Sequence, residues 1–152
     1  METAHSPRIA VVAARWHSGL VDRMVETFVE QMGRQGYSGI DVWGVPGAFE
    51  IPLHARRLIE TQRYEAVAAC GLVVDGGIYR HEFVADAVIG GLMRVQLDTG
   101  TPIFSGVLTP HHFHEHNDHR AFFLDHLAEK GTELACACAE TLAGLERLAT
   151  IE

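Results

Sequence analysis

The residues Arg80 and His81 follow a glycine pair, Gly76-Gly77, after two intervening residues, and this short stretch concentrates the chain's clearest chemical potential. Backbone N–H groups of a glycine turn at a helix start form a cradle for phosphate or another small anion. An arginine beside the cradle adds a permanent cation, and a histidine adds a group that titrates near neutrality. Such a set can bind an anion and move a proton. Trp16, between Arg15 and His17, offers a stacking platform for a planar heterocycle; from position alone, a rim aromatic that covers a sheet end is an equal reading. Glu50 is either a favourable first-turn carboxylate or an acceptor for substrate hydroxyls. The run from His111 to His119 holds five of the ten histidines. In a helix, His112, His116 and His119 would share one face, a zinc-like arrangement. It is not H-E-x-x-H, because Asp118 stands where the second histidine is required. A phosphate-meeting or pH-sensitive loop, or a solvated helix start, are its other readings, and no metal is expected. Neither G-x-G-x-x-G nor G-x-x-x-x-G-K-[ST] occurs, which counts against dinucleotide and nucleoside triphosphate binding.

The elements that must position these residues alternate short apolar runs with amphipathic ones. Ile9 to Ala14 is a nearly continuous apolar run, as in a strand covered on both faces. Leu20, Met24, Phe28 and Met32 recur every fourth residue between Gly19 and Gln35, which predicts a helix capped at Ser18 and ended by Gly36. Ile40 to Val45 reads as a second strand and Glu50 to Gln62 as a second helix, with Pro52 tolerable in its first turn. Ala66 to Val74 is a third buried strand. His81 to Asp98 is a third helix, with Phe83, Val84, Ala87, Val88 and Gly91 on one face. Pro102 to Leu108 is a fourth strand. A final helix runs from about Asp118 to Leu148, with a break expected near Lys130-Gly131. Strand–helix alternation with long crossovers implies a parallel sheet covered by helices on both faces. Ligands in such sheets bind beyond the carboxyl ends of the strands, where Trp16, Pro46 to Glu50, Val74 to Ile78 and Thr109 to His111 all fall.

Length and composition fit one domain spanning residues 1–152. The net charge of −8 lacks the basic footprint of a nucleic-acid binder. No apolar run reaches membrane-spanning length and no secretory leader is evident, so a cytoplasmic protein is expected. Cys70, Cys136 and Cys138 have no zinc-finger or disulfide-scaffold spacing and read as small residues in a reducing compartment.

In order along the chain, these segments resemble the lumazine synthase family. Arg15-Trp16 matches its Arg-aromatic pair after strand one, and Val45 to Pro52 (VPGAFEIP) matches V-P-G-A-[FY]-E-[IL]-P after strand two. Gly71 to Gly76 matches G-x-V-[IV]-x-G, Val107-Leu108-Thr109 a turn after strand four, and Lys130 to Glu133 the K-G-x-E of the last helix. The expected fold is a three-layer α/β/α sandwich on a four-stranded parallel sheet in flavodoxin-like order. The resemblance implies an enzyme that condenses 5-amino-6-ribitylaminouracil with 3,4-dihydroxy-2-butanone 4-phosphate, releasing inorganic phosphate and forming 6,7-dimethyl-8-ribityllumazine without a cofactor. By matched position Trp16 stacks on the pyrimidine, and Ala48, Phe49 and Glu50 hold the ribityl chain. Leu72, Val73 and Val74 meet the uracil edge, while Gly76, Gly77 and Ile78 line the phosphate pocket. Several positions depart from the common pattern. Arg80 stands where a histidine proton donor is usual, with His81 next to it. Asp75 replaces an arginine, Ile78 a threonine and Ser105 a phenylalanine, and His119 falls near the usual phosphate-binding arginine. These changes are similar to a divergent second bacterial type in which the P-H-H-F-H-E of Pro110 to Glu115 recurs. The family's site lies between subunits of a pentamer, so a pentamer-based homo-oligomer is expected, a decamer before a capsid. The rival function is a catalytically weak flavin- or lumazine-binding protein on the same scaffold.

Overall fold

The computed structural model describes residues 7–74, 80–110 and 117–151, with backbone alone over 117–120. Four strands, β1 (Ile9–Ala14), β2 (Ile40–Val45), β3 (Ala66–Leu72) and β4 (Ile103–Leu108), form one parallel sheet in the order β2-β1-β3-β4. They alternate with four helices, α1 (Ser18–Arg34), α2 (Ile51–Glu60), α3 (His81–Thr99) and α4 (Asn117–Ala149), and a single 3-10 turn, Ala48–Glu50, leads into α2. This is the expected three-layer sandwich.

The two-residue period of a strand decides which helices cover which face. Ala10, Val12 and Ala14 of β1 pack with Val67 and Ala69 of β3 against the layer of α2 and α3. Ile9, Val11 and Ala13 pack with Ala66, Ala68 and Cys70 against α1 and α4. β1 and β3 are buried along their whole length because both faces and both edges are covered. β2 is an edge strand and departs from that pattern: only Val45 is fully buried, and Val42 and Trp43 are exposed. Its polar face is tied down instead. The Trp43 indole N–H donates to the Tyr64 hydroxyl at 3.2 Å, and that hydroxyl donates to Asp41 at 2.7 Å. The Arg8 guanidinium meets the same carboxylate at 2.7 Å.

Leu20, Met24, Phe28 and Met32 are all buried, so the four-residue spacing in α1 marks its core face. Its ends differ from expectation at one side only. Gly36 adopts a left-handed φ of 93° and the Tyr37 N–H reaches back to the Met32 carbonyl, closing the helix as a glycine stop does. Ser18, expected as the cap, is instead the first helical residue. His17 is the cap, in a left-handed conformation, and its carbonyl accepts the N–H groups of Leu20 and Val21.

Two other expectations are corrected. α3 buries Ala85, Val88, Leu92 and Val95, so the face is rotated from the one inferred through Phe83, Ala87 and Gly91, and Phe83 is exposed. The helix is apolar nearly all round, which makes its periodicity a poor guide to orientation. α4 is not broken at Gly131. A Cβ there would stand 2.5 Å from the Met24 carbonyl oxygen, 2.8 Å from Thr27 Cβ and 3.1 Å from Phe28 N, so this glycine lets α4 lie on the backbone of α1. Lys130 pairs with Glu133 at 2.9 Å on the outer side. Cys70 and Cys138 are buried, and burial pushes their thiols up to about 12. Among the described residues no helix is long and apolar enough to cross a membrane.

Candidate functional site

The site forms where β1, β2 and β3 run out. Backbone bonding between β1 and β2 continues past the strands: Arg15 N–H donates to the Val45 carbonyl at 2.7 Å and Trp16 N–H to the Pro46 carbonyl at 2.9 Å. Arg15 then turns outward and clasps Asp22 of α1 with both of its terminal nitrogens, at 2.7 and 3.0 Å. Fork-to-carboxylate pairing of this kind fixes geometry. Arg15 therefore anchors the first turn of α1, and Trp16 is presented at the sheet edge with 65% of its surface exposed.

Opposite Trp16 the turn Pro46 to Glu50 is held by reciprocal bonds. The Gly47 N–H donates to the Glu50 carboxylate at 3.0 Å and the Glu50 N–H returns to the Gly47 carbonyl at 3.2 Å. Glu50 thus closes its own loop as a capping carboxylate. Only one of its oxygens is engaged in this bond, and a carboxylate carries acceptor capacity for further donors.

Between these walls lies a cavity of about 200 Å³ lined by Trp16, His17, Ala48, Phe49, Leu72, Val73, Val74, His81 and Val84. The chain thus gathers Trp16, the Ala48-Phe49 pair, the Leu72 to Val74 end of β3 and His81 around one space. Val73 is fixed by its N–H to the Leu108 carbonyl at 2.8 Å. Arg80 and His81 diverge. The Arg80 side chain is 74% exposed, donates to Glu82 at 2.9 Å and lies 4.8 Å over the Phe83 ring. His81 is 24% exposed, lines the cavity, and holds Nδ1 3.5 Å from the other Glu82 oxygen. A backbone hydrogen bond within its own residue, followed by the Arg80 contact, keeps the Glu82 carboxyl below its ordinary value. The carboxylate between them steers arginine and imidazole apart.

Ser105 does not join this cavity within one chain. It pairs with Ala69 in mid-strand, is exposed on the β4 edge, and its hydroxyl accepts the Val107 N–H at 3.4 Å. Gly76, Gly77 and Ile78 lie outside the described residues, as does the histidine run up to His116, and at His119 only the helical backbone is described. Two lining residues carried no assignment from sequence, His17 and Val84. Val84 is three residues beyond His81 on one helical face, a usable signal. His17 could have been found as the residue between a strand-end aromatic and a helix start. Across Leu72 a second cavity of about 200 Å³ opens toward Thr109, Pro110, Phe123 and His126.

Comparison with known proteins places the chain in a family. The 6,7-dimethyl-8-ribityllumazine synthase family profile matches residues 6–146. A protein of Rhodococcus erythropolis named 6,7-dimethyl-8-ribityllumazine synthase is 55% identical over 152 residues, covering 99% of this chain and 98% of its own. Proteins named 6,7-dimethyl-8-ribityllumazine synthase 2 are similarly close. That of Pseudomonas syringae pv. tomato is 55% identical over 137 residues, 89% of this chain and 81% of its own. That of Bradyrhizobium diazoefficiens is 55% identical over 145 residues, 95% of this chain and 88% of its own. With the sheet order, the strand-end cavity and these near-full-length matches in agreement, this chain belongs to the 6,7-dimethyl-8-ribityllumazine synthase family, among relatives that include the second type.

Proposed function

We propose that the protein is a transferase that condenses 5-amino-6-(D-ribitylamino)uracil with 3,4-dihydroxy-2-butanone 4-phosphate, giving 6,7-dimethyl-8-ribityllumazine with loss of inorganic phosphate and water, in the cytoplasm and without a cofactor. The observation that carries this reading is the cavity shared by Trp16, Ala48, Phe49, Leu72, Val73, Val74 and His81. In it Trp16 stacks on the pyrimidine, Ala48, Phe49 and Glu50 hold the ribityl chain, and the β3 end offers backbone groups to the uracil edge. His81 moves the proton as the amine attacks the ketone, and Arg80, outside the cavity, holds or steers the phosphate. The phosphate itself belongs to Gly76, Gly77, Ile78 and His119.

A cavity of about 200 Å³ falls short of the roughly 300–1,000 Å³ that encloses a typical small-molecule ligand. This supports a site completed by a neighbouring copy, with Ser105 reaching the neighbour's substrate. Leu53 of α2 and Phe83, Ile89, Met93 and Leu97 of α3 are exposed, supplying the apolar surface that association needs. The assembly is a pentamer-based homo-oligomer, a decamer in its complete form.

The test is a steady-state assay with both substrates, following the lumazine chromophore and released phosphate together, on protein whose mass has been measured by light scattering. Equal release of lumazine and phosphate by a pentamer multiple is expected. Tight riboflavin binding without turnover would replace the enzyme with a binding protein, and a monomer would remove the shared site.

A further inference from the structure

We infer that Gly47 is a positioning residue for the reaction, required because its bare α-carbon sets the attitude of the Trp16 indole. The inference rests on the stacking role proposed for Trp16. Gly47 has φ −136° and ψ 179°, extended backbone that any residue adopts, so conformational freedom is not why glycine stands there. The reason is contact. A Cβ at this position would stand 2.5 Å from Cε3, 2.6 Å from Cζ3 and 3.1 Å from Cδ2 of Trp16, inside the benzo half of the indole.

Neither partner can back away freely. Gly47 is pinned through its N–H to Glu50 at 3.0 Å and through its carbonyl to the Glu50 N–H at 3.2 Å. Trp16 is pinned by its N–H to the Pro46 carbonyl at 2.9 Å, one residue from the contact. The indole is 65% exposed, so a side chain at residue 47 would swing the ring rather than shift the two backbones. Because stacking depends on ring orientation, a swung indole loses the pyrimidine while the proton-transfer group at His81 stays where it was. Glu50 thereby contributes to ring binding at second hand, by holding the glycine that holds the ring.

A four-variant cycle tests this: wild type, Gly47→Ala, Trp16→Phe and the double variant, each assayed for KM and kcat with the pyrimidine substrate at saturating ketone phosphate. Phenylalanine lacks the fused benzo ring that meets residue 47. Gly47→Ala should raise KM for the pyrimidine roughly tenfold with kcat within about threefold. In the Trp16→Phe background the same change should move KM by less than about twofold, the non-additivity expected of a direct contact. If Gly47→Ala fails to fold and the double variant folds and turns over, the same contact is demonstrated. An equal KM effect in both backgrounds, no effect in wild type, or loss of folding in both would overturn the inference and leave Trp16 untouched. Trp16→Ala with unchanged KM would instead defeat the stacking role itself.

Discussion

Gly131→Ala is expected to destabilise the protein although it places a better helix former inside a long helix. Alanine in a helix interior is worth about 1 kcal/mol over glycine. Against that gain stands the backbone of α1, with the Met24 carbonyl oxygen 2.5 Å from the added Cβ, where ordinary contact begins at 3.4 Å. Neither a carbonyl nor the Phe28 N can rotate out of the way, so α4 must retreat by roughly 1 Å. A gap of that size forfeits about a quarter to a half of each van der Waals well along the seam. The seam is extensive: Leu127, Leu134, Ala135 and Cys138 of α4 pack there with Met24 and Phe28 of α1. Overpacking of this kind costs about 1–3 kcal/mol, and rigid backbone on the receiving side puts this case at the upper end. The net loss is about 2 kcal/mol, or a fall of roughly 4–8 °C in Tm for a domain of this size. Gly33→Ala in α1 is the control, because a Cβ there meets nothing within 4 Å, and it should stabilise slightly. Both are compared with wild type by calorimetry at one protein concentration, since assembly shifts Tm. If Gly131→Ala melts at or above the Gly33→Ala temperature, the close approach of the two helices is not what this glycine serves.

Three further expectations follow from the geometry. His81→Asn should lower kcat on the order of 10²-fold, whereas Arg80→Ala should raise KM for the phosphate substrate with kcat little changed; the reverse pattern would move proton transfer to Arg80's neighbourhood. The Arg8 hydrogen bond, with help from Tyr64, holds the Asp41 carboxyl below its ordinary 3.8. A depressed carboxylate adds stability that is present above 3.8 and lost as pH falls through the lower folded value, so Asp41→Asn should melt earlier than wild type at neutral pH and match it in strong acid. A difference that persists undiminished in strong acid would assign the effect to something other than that charge. Cys136 is exposed while Cys70 and Cys138 have thiols pushed up to about 12, so native protein should take up one equivalent of maleimide near pH 8 and the label should map to Cys136.

The parts of this fold that sequence disclosed are those where one physical demand dominates. Ile9 to Ala14 and Ala66 to Leu72 face apolar surroundings on both sides, and nothing but a covered strand suits such runs. Leu20, Met24, Phe28 and Met32 sit on one face because α1 has one core to meet. Misreadings arose where one letter serves two demands. Glycine breaks helices and also permits helices to touch, and Gly131 does the second. Serine caps helices through its side chain, but a backbone carbonyl of a left-handed histidine does the work before α1. α3 carries apolar residues toward its own core and away from it, so its buried face could not be chosen from its pattern. At the site, motif order foretold the gathering of Trp16, Phe49, Val73 and His81. The separation of His81 from Arg80 depended on Glu82, a residue whose significance is visible only in three dimensions.

The strand that is made first ends up in the interior of the sheet. β1 lies between β2 and β3, fully covered. During vectorial synthesis its second neighbour is complete only when Leu72 has been added, and at about 5–20 residues per second that leaves Ile9 to Ala14 half-paired for several seconds. Its α1-side cover is finished later still, when α4 arrives at the end of the chain. The fully buried β1 thus waits longest for its complete surroundings. Once seated, it can leave only if the sheet opens through β2 or through β3 and β4, so the order that delays assembly also guards the finished protein against unravelling from its N-terminus.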